Sequence, residues 1–437
     1  MRKILFFTFF IFSNAIFSQD LLTFNDCLNL ALKNNLEIKS AENSEKTALY
    51  QYKSSYGKLV PSVYANAENR NSWGREVNPN TNLFTNTDVK YFTGNLNAAF
   101  NLFAGFEAIN TIKYTKQEHE INKIKIQDVQ NGITLDLAQK FITILYLQEI
   151  IASNKEEINS SDKQLELALL KFNSGVIAES EVFKLKSQKA IEELNLLTNE
   201  NRLSDNYISI KQLMNIPLEK EIRLIKPNLV LDKNLDLQED QYSLTNKAVE
   251  INPLYTMSIL KEKKARTSLS IARAALYPVL SVRAFYATNF TRDPLLDPIN
   301  FQVDDNFSRS IRFNLSIPIF NQLETYSKIK TKKMDYKQSK IDTEIVKNKL
   351  SKQVLKAITD TKTAIKKNES STIAYEFAQK SYEADELKFQ LGKININELN
   401  NTKMMYNNSL AELIQSKYEL LFNNALIKFY LGEIFTL

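Results

Sequence analysis

One histidine, one cysteine and eight glycines in 437 residues leave this chain little material for chemistry. His119 sits in the charged run Lys116-Gln-Glu-His-Glu120, with no second histidine to share a metal. The few glycines form neither a phosphate-cradling loop nor a dinucleotide turn, and no zinc-ligand spacing or nucleophile elbow occurs. The pattern argues against an enzyme and implies no cofactor and no metal. Cys27 alone makes no intramolecular disulfide. It lies inside a polar helix start, not directly behind an apolar leader where a lipoprotein cysteine would stand. Beyond residue 18, no uncharged stretch approaches the roughly 20 apolar residues of a membrane helix. The net charge of +6 falls to about +4 without Arg2 and Lys3, and no basic cluster is present. That argues against a nucleic-acid partner.

What the N-terminus does contain is Met1-Arg2-Lys3, then the apolar run from Ile4 to Phe12, then small and polar residues to Ser18-Gln19. A basic start, a short apolar core and a small-residue exit read as a secretory signal peptide over residues 1–18. The mature chain is then soluble, or enters a membrane without a helix.

The remainder repeats itself at a fixed distance of 217 residues. Ala31 and Asn35 recur as Ala248 and Asn252, Pro61 as Pro278, and Phe103 as Phe320. Lys171-Phe172-x-x-Gly175 recurs as Lys388-Phe389-x-x-Gly392. Five landmarks at one offset predict two copies of one structural unit, residues 19–217 and 246–437, joined by a linker at 218–245. The period is far too long for a solenoid. It suggests a pseudo-symmetric object whose halves surround something.

Thr23-Phe-Asn-Asp26 predicts an N-cap and capping box for a helix that runs to about Lys58, where Pro61 ends it. Alternation then predicts strands over about 60–70 and 91–103, and again over about 278–290 and 307–320. It is clearest where Ile311, Phe313, Leu315 and Ile317 alternate with Ser310, Arg312, Asn314 and Ser316. Period two makes one dry face and one wet face. Strands of about 10 to 14 residues suit a tilted bilayer span, apolar outward and polar toward a lumen. Four strands leave edges exposed; strands from several identical chains would close them. The polar segments 69–90 and 291–307 read as solvent loops.

Long helices are predicted over about 105–171 and 322–388. Leu137, Ile144, Ile151, Ile158, Leu165 and Phe172 fall at unbroken seven-residue spacing, the mark of a coiled-coil seam. At 1.5 Å per residue such a helix spans about 100 Å. The chain reverses at 172–180 and 389–397 and returns as helices about half as long. Two half-length pieces stacked end to end match one long rod, so the geometry calls for a tall tube.

These residues resemble the TolC-like outer membrane efflux protein family over essentially the whole mature chain. The resemblance rests on Leu22-Thr-Phe-Asn-Asp-Cys-Leu-Asn-Leu-Ala-Leu-Lys-Asn-Asn35, Leu59-Val-Pro-Ser62, Phe103-Ala-Gly105, Lys171-Phe-Asn-Ser-Gly175 with its twin at 388–392, and Tyr430-Leu-Gly432. Two departures stand out: Asn215 and Gln322 occupy positions where the family usually has glycine. The resemblance implies a mainly α fold with a membrane β-barrel portion. It implies a homotrimer in which three chains of four strands form a 12-stranded barrel, continued by an antiparallel coiled-coil α-helical barrel. The expected location is the outer membrane of a Gram-negative bacterium, in contact with its lipid and extending into the periplasm. The expected function is the exit duct of a tripartite efflux or type I secretion system, with a periplasmic adaptor and an inner-membrane transporter as partners.

At the tips, Glu181 and Glu398 follow Gly175 and Gly392 at the same spacing. In the family, acids at these places point into the constricted entrance, so six carboxylates would ring the pore and favour cations. Each Glu equally suits the first turn of a helix, where the dipole favours acids. Asn401 stands where the family often has a second acid, which implies a weaker gate. Asn397, with Asn395 and Asn400, adds polar groups for interchain hydrogen bonds. Ser174-Gly175-Val176 and Leu391-Gly392-Lys393 resemble adaptor-contacting turns, though both also read as helix C-caps. The rival reading is a periplasmic coiled-coil spacer or adaptor without channel activity; lipid-facing alternation has no use there.

Overall fold

The computed structural model describes residues 20–77, 82–86, 89–227, 240–291 and 299–437. The expected signal peptide and residues 228–239 of the expected linker lie outside the described residues.

In repeat one, β1 (Asp20–Leu22) leads into α1 (Phe24–Asn34). The Asp26 N–H donates to Thr23 Oγ1 at 3.2 Å, and the Thr23 N–H donates to Asp26 Oδ2 at 3.0 Å. Two orphan donors are thereby satisfied reciprocally. The helix expected to run on to Lys58 breaks at Asn35, whose φ of −57° and ψ of 134° leave the helical region. Asparagine offers its own side chain to the backbone. Here Oδ1 accepts from the Glu37 N–H at 2.8 Å and restarts the chain as α2 (Leu36–Ser55), while Nδ2 donates to the Leu213 carbonyl at 2.9 Å. After a 3₁₀ turn come β2 (Ser62–Ser72), the short hairpin β3 (Arg75–Val77) and β4 (Phe84–Asn86), and β5 (Val89–Ala104). The long α3 (Glu107–Asn173) and its return α4 (Glu179–Met214) complete the repeat.

The expected linker carries β6 (Ile222–Leu224); α5 (Gln241–Ile251) and α6 (Pro253–Ala274) then open repeat two, with the same break at Asn252. It continues with β7 (Val279–Thr291), α7 (Ile299–Asp305), β8 (Ser308–Ser316), α8 (Glu324–Gln390) and α9 (Ile396–Tyr430). Both long helices have 67 residues, and their first residues are 217 apart. The ladder of β8 stops at Ser316, short of residue 320. Pro318 has no N–H to give a sheet.

The chain forms two compact units. The first comprises the residues up to Ser40, Gln127–Asn252 and Lys349–Leu437. Its core gathers Phe24, Cys27, Leu137, Phe141, Ile210 and Tyr418. The Phe24 ring meets Phe141 edge-on at 5.5 Å and Phe435 at 5.6 Å. Burial pushes the Cys27 thiol up to about 12, which makes it a poor nucleophile. A parallel ladder of β1 on β6 covers this core. The seven-residue line of α3 is fully buried at Leu137 and Ile144 but reaches the surface at Phe172, which is 36% exposed. A straight helix drifts about 20° per heptad from such a line. Downstream the buried positions are Ser161, Gln164 and Ala168 instead.

The second unit comprises Ala41–Ile126 and Pro253–Asn348. Its four-stranded antiparallel sheet has the order β2-β5-β7-β8. One register row reads Val63, Ala98, Ala284, Ile311; the neighbouring row, on the other face, reads Ser62, Ala99, Arg283, Arg312. Alternation therefore survives across all four strands, giving one apolar and one polar face. After β5 the chain turns at Gly105, with φ at +61° and an added Cβ 2.5 Å from the Ala274 carbonyl oxygen. Only glycine fits there. Its twin Gln322 holds the same left-handed backbone at φ 53°. Among the described residues, no helix is long and apolar enough to cross a membrane.

Candidate functional site

The two helical reversals have one geometry. In each, the glycine ends the long helix in the left-handed region, at φ 73° for Gly175 and 70° for Gly392. The Val176 N–H donates to the Lys171 carbonyl at 2.9 Å, and the Lys393 N–H donates to the Lys388 carbonyl at 2.8 Å. This double closure satisfies the last carbonyls of a helix. Ser174, Gly175, Val176, Leu391, Gly392 and Lys393 are all exposed, and a Cβ on either glycine meets nothing within 4 Å. The reversals are thus formed by local backbone rules, and their outer surface is open.

Between them the structure packs Ala168, Val182, Leu185, Phe389, Ile396 and Leu399 into a small apolar cluster. The Lys171 ammonium lies 4.6 Å from the centre of the Phe389 ring, a cation–π contact across the repeats. A cavity of about 240 Å³ opens beside this cluster, lined by Lys171, Val176, Glu181, Phe389, Gly392 and Asn395.

Glu181 and Glu398 both sit in the first turns of the return helices. Their surroundings differ. Lys184 Nζ lies 3.2 Å from Glu181 Oε1 and also donates to Asn397 Oδ1 at 3.2 Å, so one lysine ties Glu181 to Asn397 across the repeats. The second carboxylate oxygen of Glu181 is buried without a hydrogen-bond partner. Glu398 instead belongs to the N-cap of α9. Asn395 Oδ1 accepts from the Asn397 N–H at 3.0 Å and the Glu398 N–H at 3.1 Å, while Asn395 Nδ2 donates to Glu398 Oε1 at 2.8 Å. Asn395 and Asn397, expected to bond between chains, are therefore engaged within this one. Asn401 is exposed. Its twin is Lys184, so the position where repeat two lacks an acid is the position where repeat one carries a cation. Sequence reasoning passed over Lys184, although it stands three residues beyond Glu181 on the same helix face.

A second polar cluster lies further along the same helices. Glu192 of α4 and Lys403 of α9 are both almost fully buried, with Lys403 Nζ donating to Glu192 Oε1 at 3.0 Å. Ser161 of α3 accepts from Lys403 and donates to Glu192 Oε2 at 2.6 Å. Beside it Asn407 donates to Glu157, whose carboxyl is pushed up by burial and then by the charge of Glu192. Among the described residues, no group of three or more metal-ligating side chains occurs.

Duplicated hairpins of 67-residue helices, joined to a four-stranded sheet with a dry exposed face, define the class as that of bacterial outer membrane channel proteins. The sequence profile of the outer membrane efflux protein family matches residues 27–215 and 244–433, and the chain belongs to this family. The two matched segments are the two repeats. The chain is 20% identical over 320 residues to outer membrane protein TolC of Escherichia coli strain K12, covering 72% of this chain and 64% of that protein, a little under two thirds of its length. Among solved structures, the CmeC outer membrane channel of Campylobacter jejuni superposes with a TM-score of 0.82 at 16% identity, covering 94% of this chain and 85% of CmeC. VceC, an outer membrane protein of Vibrio cholerae, gives 0.76 at 14% identity, covering 94% and 97%. These likenesses show the fold, and the family is one of channels, not of enzymes.

Proposed function

We propose that three copies of this chain close into a 12-stranded barrel in the outer membrane and a helical duct reaching into the periplasm. The duct passes substrates outward from an inner-membrane transporter. The observation that carries this reading is the sheet of the second unit. β2 pairs only with β5, and β8 only with β7, among the described strands, so one chain presents two bare edges. Ile311, Phe313 and Leu315 on β8 are each at least 60% exposed. A bare edge beside an apolar surface is a liability in water. Joining β8 of one copy to β2 of the next removes both edges and turns the apolar face to lipid. The polar face, with Asn66, Asn97, Arg283 and Arg312, then lines the lumen.

Glu181 and Glu398 are the proposed gate carboxylates, with Asn397 and Asn401 beside them. Triplets 174–176 and 391–393 are the surface offered to a periplasmic adaptor. A heat-modifiable trimer in the outer membrane fraction, with ion conductance in planar bilayers, is the expected result. Recovery as a soluble periplasmic protein without conductance would favour the coiled-coil spacer instead. Replacing Gly392 by a bulky residue is expected to abolish export while leaving trimers intact, since a Cβ there meets nothing within 4 Å in this chain and its left-handed backbone strain stays local to the turn.

A further inference from the structure

The last strand of the sheet leads into a helix whose first turns carry a lysine-rich face. From Leu323, the positions Tyr326, Lys330, Lys333, Lys337 and Lys340 follow at spacings of three and four in alternation, so they share one face of α8. All six are exposed. Residues 324–340 hold six lysines and only two acids, Glu324 and Asp335. Asp335 is taken up by Lys332 at 2.8 Å. The same stretch of α3, residues 107–123, balances three lysines against three acids. The basic surplus belongs to repeat two.

Helix α3 shows where this face points, because neighbours hold it from two other helices of the same chain. His119 pairs with Glu45 of α2, and Glu118 pairs with Lys264 of α6. With both contacts made, Phe106, Ile109, Lys113 and Lys116 remain exposed; they are the twins of Leu323, Tyr326, Lys330 and Lys333. The face is therefore an outer surface of the helix layer. The Phe106 ring meets Phe103 edge-on at 5.5 Å, and Phe103 stands in the register row of Leu280 and Leu315. By period two, that row lies on the apolar face of the sheet. The lysines continue the side that the proposed channel turns to lipid.

In repeat two this side runs through Leu315, Phe320, Leu323 and Tyr326, all exposed, before it meets Lys330. Apolar side chains, then a tyrosine, then ammonium groups follow the order of a hydrocarbon core, its interface and its phosphates. At 1.5 Å per residue, Lys330 and Lys333 stand about 10 and 15 Å along α8 from Leu323. Helical side chains tilt toward the N-terminus, here back toward the sheet. The Lys330 ammonium also lies 5.1 Å from the centre of the Tyr326 ring, which couples the two. We propose that Tyr326, Lys330 and Lys333 form a binding surface for anionic phospholipid headgroups in the leaflet adjoining the helices. Lys337 and Lys340 add attraction from further out, which salt screens first. Such a surface exists only if the sheet spans a bilayer, so it rests on the channel reading.

The test uses the full chain in phosphatidylcholine bilayers, with Trp73→Phe to remove the only tryptophan and Tyr326→Trp as a reporter. Dibrominated phosphatidylglycerol or dibrominated phosphatidylcholine, mixed into the bilayer, quenches the reporter on contact. Phosphatidylglycerol is expected to be enriched about threefold over phosphatidylcholine at about 50 mM salt, and the preference to vanish near about 500 mM. Lys330→Gln with Lys333→Gln should abolish the preference, whereas Lys337→Gln with Lys340→Gln should lower it by less. Equal quenching by both lipids at low salt would overturn the proposal, as would a preference that survives loss of Lys330 and Lys333. A preference removed by millimolar inorganic phosphate at constant ionic strength would mean a free-phosphate site, and would overturn the lipid surface. A second reporter, Phe313→Trp on the apolar side of β8, separates this failure from that of the channel. Quenching at 313 without quenching at 326 would sink the headgroup surface alone. No quenching at 313 by either lipid would remove the channel reading, and the surface with it.

Discussion

Repeat one and repeat two share a backbone and differ in chemistry. Helices α1 and α5, α3 and α8, and α4 and α9 begin at one offset, and the reversals at Gly175 and Gly392 close with the same bonds. At the turn after the second strand, repeat one has Gly105 and repeat two has Gln322, both left-handed. At the end of the return helix the roles exchange, with Asn215 at φ 49° and Gly432 at φ 94°. Near the reversals, Lys184 faces Asn401 as its twin, and Glu192 faces Ser409. The lesson is that backbone shape has been kept along the long helices and their turns while each copy took up different partners. It has not been kept between the strands, where repeat one has the β3–β4 hairpin and repeat two has α7. A duplication need not stay symmetric where it does its work.

The comparison is broken most severely at the buried pair. Lys403→Met strands Glu192 and is expected to cost about 3–5 kcal/mol of stability. Adding Glu192→Leu should recover most of that loss, and thermal unfolding of the two variants checks it. The cost is specific to the contact of α9 with α3 and α4, so Lys186→Met at the twin position should change little, as exposed substitutions do, within about 0.5 kcal/mol.

Next come the left-handed turns. Gly105→Ala drives a Cβ onto the Ala274 carbonyl and forces a disfavoured backbone, an expected loss of about 2–3 kcal/mol. Gln322→Gly relieves the same backbone in repeat two and should stabilise by about 0.5–1 kcal/mol. If chemical denaturation shows both losing stability, the two turns are not equivalent.

Two carboxylates on α3 should respond to pH in opposite senses. Burial tends to raise Glu149, yet hydrogen bonds from Lys226 and Tyr418 and the charge of Lys417 hold it below its ordinary value. Its contribution is present above the unfolded value of 4.5 and is lost as pH falls through the lower folded value. Glu157 is raised, so it opposes folding progressively as pH climbs from 4.5 through its folded value. Glu157→Gln is therefore expected to stabilise the protein at neutral pH and to leave stability in acid nearly unchanged. Unfolding midpoints measured across pH 4 to 8 would refute this if the variant were weaker at pH 7.

The mildest changes concern charge along the proposed lumen. Glu398→Ala removes an acid from the first turn of α9, worth about 0.3–1 kcal/mol, and should shift bilayer reversal potentials toward anions. Glu181→Ala should do so less, because Lys184 already offsets that carboxylate. Arg283 and Arg312 stand directly opposite in register, a like-charge pair. Arg312→Ala is expected to raise stability by about 0.2–1 kcal/mol and to shift selectivity toward cations. Identical potentials for all three variants would separate these residues from the conducting path.

Much of the framework was legible because local rules and global repeat agree. Thr23 and Asp26 announce a cap, Gly175 and Gly392 announce reversals, and Ile311-x-Phe313-x-Leu315 announces a two-faced strand. The break at Asn35 was not, since asparagine inside a helix-forming run reads as a surface residue until its side chain is seen turning to Glu37 and Leu213. Phe172 continues the seven-residue line from Leu137 yet is 36% exposed in this chain, since a constant seven-residue spacing drifts around a straight helix. The cluster of Ser161, Glu192 and Lys403 was invisible for a simpler reason. Three polar residues on three separate helices look like solvent-facing positions, and only tertiary packing reveals that water has been excluded from them.

Phe435 carries a consequence for how the chain folds. It is 1% exposed and lies against Phe24, Phe422 and Phe429, so the first and last helices of the first unit meet through a residue 411 positions from its partner. Contacts that distant in sequence are slow to form. The hydrophobic cluster around Phe24 stays open until Phe435 has been made, which leaves α1 in need of protection until then.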